Sequence, residues 1–264
     1  MKGLATLLIA SVLMSLTAMA GPLEMSFGVG PSATSLGSLN ASVGVFNTLI
    51  EHLNETFDAH PDVSGTVGTL SSLTSGLTFR AAERYWLTGW FALGGAVEYF
   101  STSTGTLGRY EGVGASIIDV ALDVTAVNAT LGGSLTFLDA GLRLAIDAGI
   151  GYHYVISNSA VTFEVPVEYP GTISGVPPAH AGRYTGDTFG FELGLSLYYP
   201  VASWFSLGAS VSYRSATVDA VADNAGTELD FDGDGVPEPI DLDGISVRLT
   251  LSFNIDLSLN GEKE

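Results

Sequence analysis

Residues 141–155 alternate without a break. Leu142, Leu144, Ile146, Ala148, Ile150, Tyr152 and Tyr154 share one parity; Arg143, Ala145, Asp147, Gly149, Gly151 and His153 share the other. A period of two puts successive side chains on opposite faces of a β-strand. One face is apolar and ends in aromatics, and the other carries charge and glycine. Lipid outside and a polar lumen inside would produce that contrast in a transmembrane barrel strand.

The same pattern predicts seven further strands. Strand 1 spans 22–30, with Leu23, Met25, Phe27 and Val29 outward and Glu24 inward. Strand 2 spans 77–87, with Arg80 and Arg84 inward and Glu83 on the outward phase. Strand 3 spans 90–102 and turns Glu98 inward. A polar loop is expected at 103–115. Strand 4 spans about 118–137; its apolar residues change parity near Thr125-Ala126, which predicts a β-bulge there. Leu138-Asp139-Ala140 should turn the chain into the fifth strand. A long loop at 157–187 carries Pro166, Pro170, Pro177 and Pro178. Strand 6 spans 188–199, with Glu192, Ser196 and Tyr198 inward, and Pro200-Val201-Ala202 turns it. Strand 7 spans 204–218 with Arg214 inward. Strand 8 spans 245–257 with Arg248, Asn254 and Asp256 inward.

One stretch follows a different period. Leu36, Leu39, Val43, Phe46, Ile50, Leu53 and Phe57 are spaced three and four apart, the stripe of an amphipathic helix over about 35–57. It either caps the barrel mouth or lies at the membrane surface; the other reading is a plug or gate entering the lumen. The predicted fold is an all-β, eight-stranded antiparallel up-and-down transmembrane barrel with one helix in its first long loop. Short turns on one side and long connections on the other put both mature termini in the periplasm.

Composition supports this. The chain has 264 residues, only 14% charged, with 33 glycines; soluble domains average near a quarter charged. Beyond the N-terminus no apolar run approaches the ~20 residues of a spanning helix. A chain that spans lipid without helices must close its sheet, because hydrocarbon offers no partner to edge amides. Residues 1–20 read as a secretory signal with cleavage after Ala20, following Ala18-Met19-Ala20. The absence of cysteine excludes disulfides and a lipidated N-terminal Cys. The formal charge is −19, or 8 − 28 = −20 without Lys2 and the rest of the signal, which disfavours nucleic acid and suits cations.

The inward positions propose a lumen network. Arg80, Arg84, Arg143, Arg214 and Arg248 face Glu24, Glu98, Asp147, Glu192 and Asp256, five against five. Such charges should pair, because removing one partner strands the other. His153 also points inward. Asp147 lies six residues away along the strand, about 20 Å at ~3.3 Å per residue, too far for a hydrogen bond within that strand. The pattern yields no nucleophile–base set, so no enzyme is expected. His52, His60 and His180 show no metal-ligand spacing.

Residues 230–241 carry the sharpest site signal. Asp stands at positions 1, 3, 5 and 12, Gly at 6 and Glu at 9, and 221–243 holds eight acids and no bases. This resembles the calcium loop of EF-hand and dockerin-type modules. The resemblance implies Asp230, Asp232, Asp234 and Asp241 as side-chain ligands, Val236 as a backbone ligand and Glu238 as a direct or water-mediated one. It implies Ca²⁺ as cofactor at weak affinity, stiffening the loop or bridging to phosphates of surface lipopolysaccharide.

The signal, the eight alternating strands and the four long connections resemble the small outer-membrane barrels of the OmpA, OmpX and OmpW kind. That implies residence in the cell outer membrane, with lipid as the surrounding partner. Two functions follow as expectations. One is a structural or adhesive surface barrel with a filled lumen and a calcium-stiffened loop. The other is a small cation-selective channel or carrier gated by the 35–57 helix.

Overall fold

The computed structural model describes residues 22–112, 116–139, 141–164 and 179–256, with backbone only for Leu138, Asp139 and Asp256. The expected signal segment 1–20, the proline-bearing stretch 165–178 and the residues after 256 lie outside the described residues.

Eight antiparallel strands close into one barrel. They are β1 (Pro22–Thr34), β2 (Ser75–Trp86), β3 (Phe91–Tyr110), β4 (Ser116–Asp139), β5 (Arg143–Glu164), β6 (His180–Ala202), β7 (Phe205–Ser215) and, after two short strands, β10 (Gly244–Asp256). Neighbours in sequence pair around the ring, and β10 closes on β1. Helix α1 (Gly37–Asp58) stands between β1 and β2. The short strands β8 (Thr217–Val218) and β9 (Ile240–Asp241) pair apart from the ring.

The outward positions are mainly apolar, with Glu83 of β2 keeping the outward phase of its neighbour Met25. Phe27, Phe79, Leu131, Ile150, Leu193 and Leu249 are exposed, Leu249 by 74%. Aromatics crowd the turn end, where Trp204 stacks on Phe253 at 6.2 Å and Phe205 meets it at 5.3 Å. At the other end Tyr152 meets Phe189 at 5.5 Å and Phe191 meets Tyr213 at 6.2 Å. An apolar band between two aromatic girdles is the outer surface of a barrel set in lipid.

The strands β3 to β6 run well past the lengths their alternation predicts. Residues 103–110 and 157–164, expected as loop, are strand, as is 180–187. No bulge interrupts 125–126: the register runs unbroken through Ser101↔Thr125 and Phe100↔Ala126. What changes there is the surroundings. Ile118, Val120, Leu122, Val124 and Ala126 are buried and inward, while Leu131, Leu135 and Phe137 face lipid. Above the bilayer the barrel interior is an apolar core and its outer wall is polar; within the bilayer the two are exchanged. The irregularity in β4 falls lower, between Thr136 and Leu138. The turn after β6 is also displaced: Pro200–Ala202 stays in strand with a shifted register, Trp204 lies in the turn, and β7 ends at Ser215.

Helix α1 lies inside this upper core. Its six stripe residues and Leu36, which precedes its first turn, pack with Phe100, Ile118, Leu122, Val155 and Phe231. Phe46 meets Phe231 at 4.8 Å, and Phe57 meets Tyr110 at 4.4 Å. The helix fills a gap, because β1, β2, β7 and β10 stop lower than β3–β6. Its start is pinned at the acidic loop, where the amides of Ser35 and Leu36 donate to Asp243 O and Asp241 O.

A ladder of asparagines binds the returning chain to the helix. Asn40, Asn47 and Asn54, seven apart, each accept from the amide and donate to the carbonyl of Leu73, Leu70 and Val67 respectively, at 2.6–3.4 Å. Seven helical residues rise about 10.5 Å, and three extended residues cover about 10 Å. The two repeats match, so one residue type at one spacing satisfies six backbone polar groups.

Candidate functional site: the charged lumen and the acidic loop

The inward charges form two connected sets. In the lower set Glu24 accepts from Arg84 at 3.2 Å, from Trp86 Nε1 at 3.0 Å and from Ser252 at 2.9 Å, and pairs with Arg143 at 2.6 Å. Arg84 also donates to Asp147 at 3.0 and 3.1 Å and to Tyr198 at 2.8 Å. Asp147 receives further bonds from Ser134 and Ser196. Arg143 lies between the rings of Trp86 and Tyr198, at 5.1 and 4.8 Å, and narrows the lumen at its lower end.

In the upper set Arg80 Nη1 donates to both oxygens of Glu192 at 2.7 Å. Glu98 accepts from Arg214 at 2.7 Å and from Arg248, with Arg80 at 3.6 Å. Arg248 also donates to Ser212 at 2.6 Å, and Arg214 Nε to Leu242 O at 3.1 Å. These bonds cross the barrel from β2 to β6 and from β7 and β10 to β3. Asp256 closes β10 opposite Pro22; its side chain is outside the described set.

His153 is 1% exposed, and its Nδ1 lies within hydrogen-bond distance, 2.8 Å, of Asn128 Oδ1. Its Nε2 is buried without a hydrogen-bond partner. Asp147 is held in the lower set, so the two do not form a proton-transfer pair. Trp86, Asn128, Ser134 and Ser212 complete these sets but escaped the sequence reading. Their one signal is inward parity, which Ser and Asn share with any polar lumen lining.

The acidic loop is ordered by its own amides. Asp230 accepts from Gly235 N at 2.9 Å, Asp232 from Asp234 N at 3.2 Å, and Asp234 from Val236 N at 2.7 Å. Asp241 lies in β9 and accepts from Asp243 N at 2.9 Å. Glu238 is buried; it accepts from Ser42 on α1 at 2.7 Å and from Phe231 N at 2.8 Å. Burial pushes its carboxyl above the usual range, against these two hydrogen bonds and with added repulsion from Asp232. Among the described residues, Asp230, Asp232 and Glu238 bring carboxylate oxygens within 4.8 Å of one another. The EF-hand arrangement is not supported. Asp234, Val236 and Asp241 fall outside this trio, because their short side chains or amides close local turns, and the loop is flanked by β-structure instead of helices.

A closed sheet with a lipid-facing belt and a charged interior defines a membrane-spanning β-barrel of the outer-membrane type. Three solved structures are similar to the chain. OprG of Pseudomonas aeruginosa is 11% identical with a TM-score of 0.47, covering 89% of this chain and 96% of that one. A major outer membrane protein of Thermus thermophilus is 12% identical with a TM-score of 0.44, covering 90% and 100%. The attachment invasion locus protein Ail of Yersinia pestis is 10% identical with a TM-score of 0.43, covering 90% and 100%. These are likenesses of fold. No protein-family model matches the chain, and no curated protein matches its sequence.

Proposed function

We propose that the chain is a non-conducting surface protein of the outer membrane, structural or adhesive in role, that holds a folded acidic cap above the bilayer. One observation carries this reading: the lumen is closed twice. Arginine–carboxylate pairs span it from wall to wall, and the apolar side chains of α1 fill the space above them. Recording from the purified protein in planar bilayers tests it. No steady openings are expected, and a sustained single-channel conductance refutes the closed lumen. The alternative, a small cation-selective channel or carrier gated by α1, requires the helix to release six ladder bonds and the Ser42–Glu238 bond together.

A second reading concerns the acidic trio. Asp230 Oδ1 is buried with no hydrogen-bond partner, and an oxygen-liganded cation such as Ca²⁺ suits it and the neighbouring carboxylates. A cation there would fasten the acidic loop to α1 through Glu238 and would offer surface-lipid phosphates a bridge. Calcium titration read by protease resistance of the loop is the test. Resistance should rise with calcium and lose that rise in Asp232→Asn; resistance indifferent to both removes the cation.

A further inference from the structure

The described charges of the upper lumen do not balance. Among the described inward side chains five arginines meet four carboxylates. The lower set is neutral, with Arg84 and Arg143 against Glu24 and Asp147. The upper set sets Arg80, Arg214 and Arg248 against Glu98 and Glu192, leaving one positive charge over. Guanidinium keeps its proton, so the excess is not relieved by titration. An unmatched charge inside a barrel wrapped in hydrocarbon calls for a counter-ion.

Space for one is present. A mid-lumen cavity of ≈20 Å³ is lined by the guanidinium-bearing Arg80, Arg84 and Arg248, and by hydroxyls including Ser26, Ser210 and Thr250. A larger cavity of ≈50 Å³ shares Arg80 and Arg84. Volumes of this size admit one or a few water-sized particles. The carboxylates that also line them, Asp147 and Glu192, are already engaged by Arg84 and Arg80. Arg248 is 2% exposed, and its Nε–H is buried with no acceptor. A buried charged donor without a partner is uncommon in a folded protein. Gly28, opposite Arg80, helps open the space: a Cβ there would stand 3.3 Å from Thr250 Oγ1 and 3.5 Å from Arg248 Cδ.

We infer that this cavity binds a small monovalent anion of halide size, held by Arg80 and Arg248. A water molecule would satisfy the Nε–H but leave the charge. Sulfate and phosphate are too large for the volume and would reverse the imbalance. Both ends of the lumen are obstructed, below by Arg143 between its two rings and above by α1. The anion is therefore taken up as the barrel closes and exchanges slowly afterwards.

The test follows from that slow exchange. The mature chain is refolded into micelles in sodium chloride, sodium bromide or sodium gluconate at equal ionic strength. Crystals grown from the bromide sample should show an anomalous peak between Arg80 and Arg248. The thermal midpoint should be higher in chloride than in gluconate and should saturate with chloride concentration. Arg80→Gln, which cancels the excess charge, should abolish both the peak and the chloride increment; Glu192→Gln, which enlarges the excess, should keep both. A cavity without an anomalous peak, with equal midpoints in chloride and gluconate, overturns the inference. The bromide measurement uses the unaltered protein and does not depend on a variant folding. The site is also separable from the closed-lumen reading, since steady conductance would end that reading without removing the bromide peak.

Discussion

Replacing Asn47 with alanine isolates the asparagine ladder. Asn47 accepts from Leu70 N at 2.6 Å and donates to Leu70 O at 3.0 Å, and Leu70 is 4% exposed. Alanine deletes both partners and leaves a buried N–H and a buried C=O with none. Each orphaned group costs about 1–3 kcal/mol, so the cap should lose roughly 2–4 kcal/mol, the upper part of the range being trimmed by water entering the vacated space. Alanine is the better helix former, which offsets only a few tenths of a kcal/mol. Native-state amide exchange in micelles reads the effect. At about 1.4 kcal/mol per tenfold, protection of the Val67, Leu70 and Leu73 amides should fall roughly 30- to 700-fold. Protection in the bilayer strands should stay unchanged. Thr48→Ala, one residue along on the exposed face and bonded only to Gly44 O at 3.0 Å, is the control and should stay within about 0.5 kcal/mol. Equal behaviour of the two variants would show that the ladder contributes no more than a surface hydrogen bond.

Three other outcomes are expected. Arg84→Met leaves buried Glu24 and Asp147 each short of a cation and should destabilise the barrel by about 3–5 kcal/mol; the urea midpoint measures this, and Arg84→Met with Asp147→Leu should recover part of the loss. Phe46→Ala removes a fully buried ring packed on Phe163 and Phe231 and should cost about 3–5 kcal/mol; the loss should appear in amide exchange of the cap, with the bilayer strands unaffected. Glu238 carries a carboxyl raised by burial, so its folded form prefers the proton. Without added cation, cap stability should be fullest below the ordinary glutamate range and should decline as pH rises through the raised value. Glu238→Gln should flatten that profile, and protection of the Phe231 amide that falls on acidification would contradict the assignment.

The bilayer half of the molecule was legible because its two media differ sharply. In β5, Leu144, Ile146 and Ile150 face lipid while Arg143, Asp147 and His153 face the lumen, and parity alone separates them. The cap half was not legible by the same rule. In β4, Ile118 to Ala126 carry apolar groups on the parity that is lumenal further down, and an unbroken register looks like a slip when only two media are assumed. The third medium, a protein core above the membrane, is supplied by α1, and no local pattern announces which strands will wrap it. The 103–110 segment is rich in Thr and Gly and 180–187 carries two Gly beside polar residues, compositions shared by loops and by strands whose outer face meets water. The acidic loop is ambiguous for a different reason. Its Asp spacing matches a cation loop, yet the same short side chains close turns on their own amides, and only coordinates distinguish these uses of one pattern.

The two halves are held by different forces, and this bears on how damage spreads. The cap is an ordinary apolar core, with Phe46, Ile50, Leu122 and Phe231 fully buried, and its stability rises with the area it hides from water. The lumen contributes little by that route. Its arginines and carboxylates offset their own desolvation and fix which strands face one another, so its loss is abrupt when a partner goes. Side-chain contacts that join the halves include Phe100 under Arg214 at 5.8 Å, Arg214 Nε on Leu242 O, and the Asn128–His153 bond at the boundary. Substitutions placed wholly within one half, such as Phe46→Ala and Arg84→Met, share no partner, and their effects should add to within about 0.5 kcal/mol. A variant at Arg214 touches both sets of forces, and combined with either of the others it should depart from additivity.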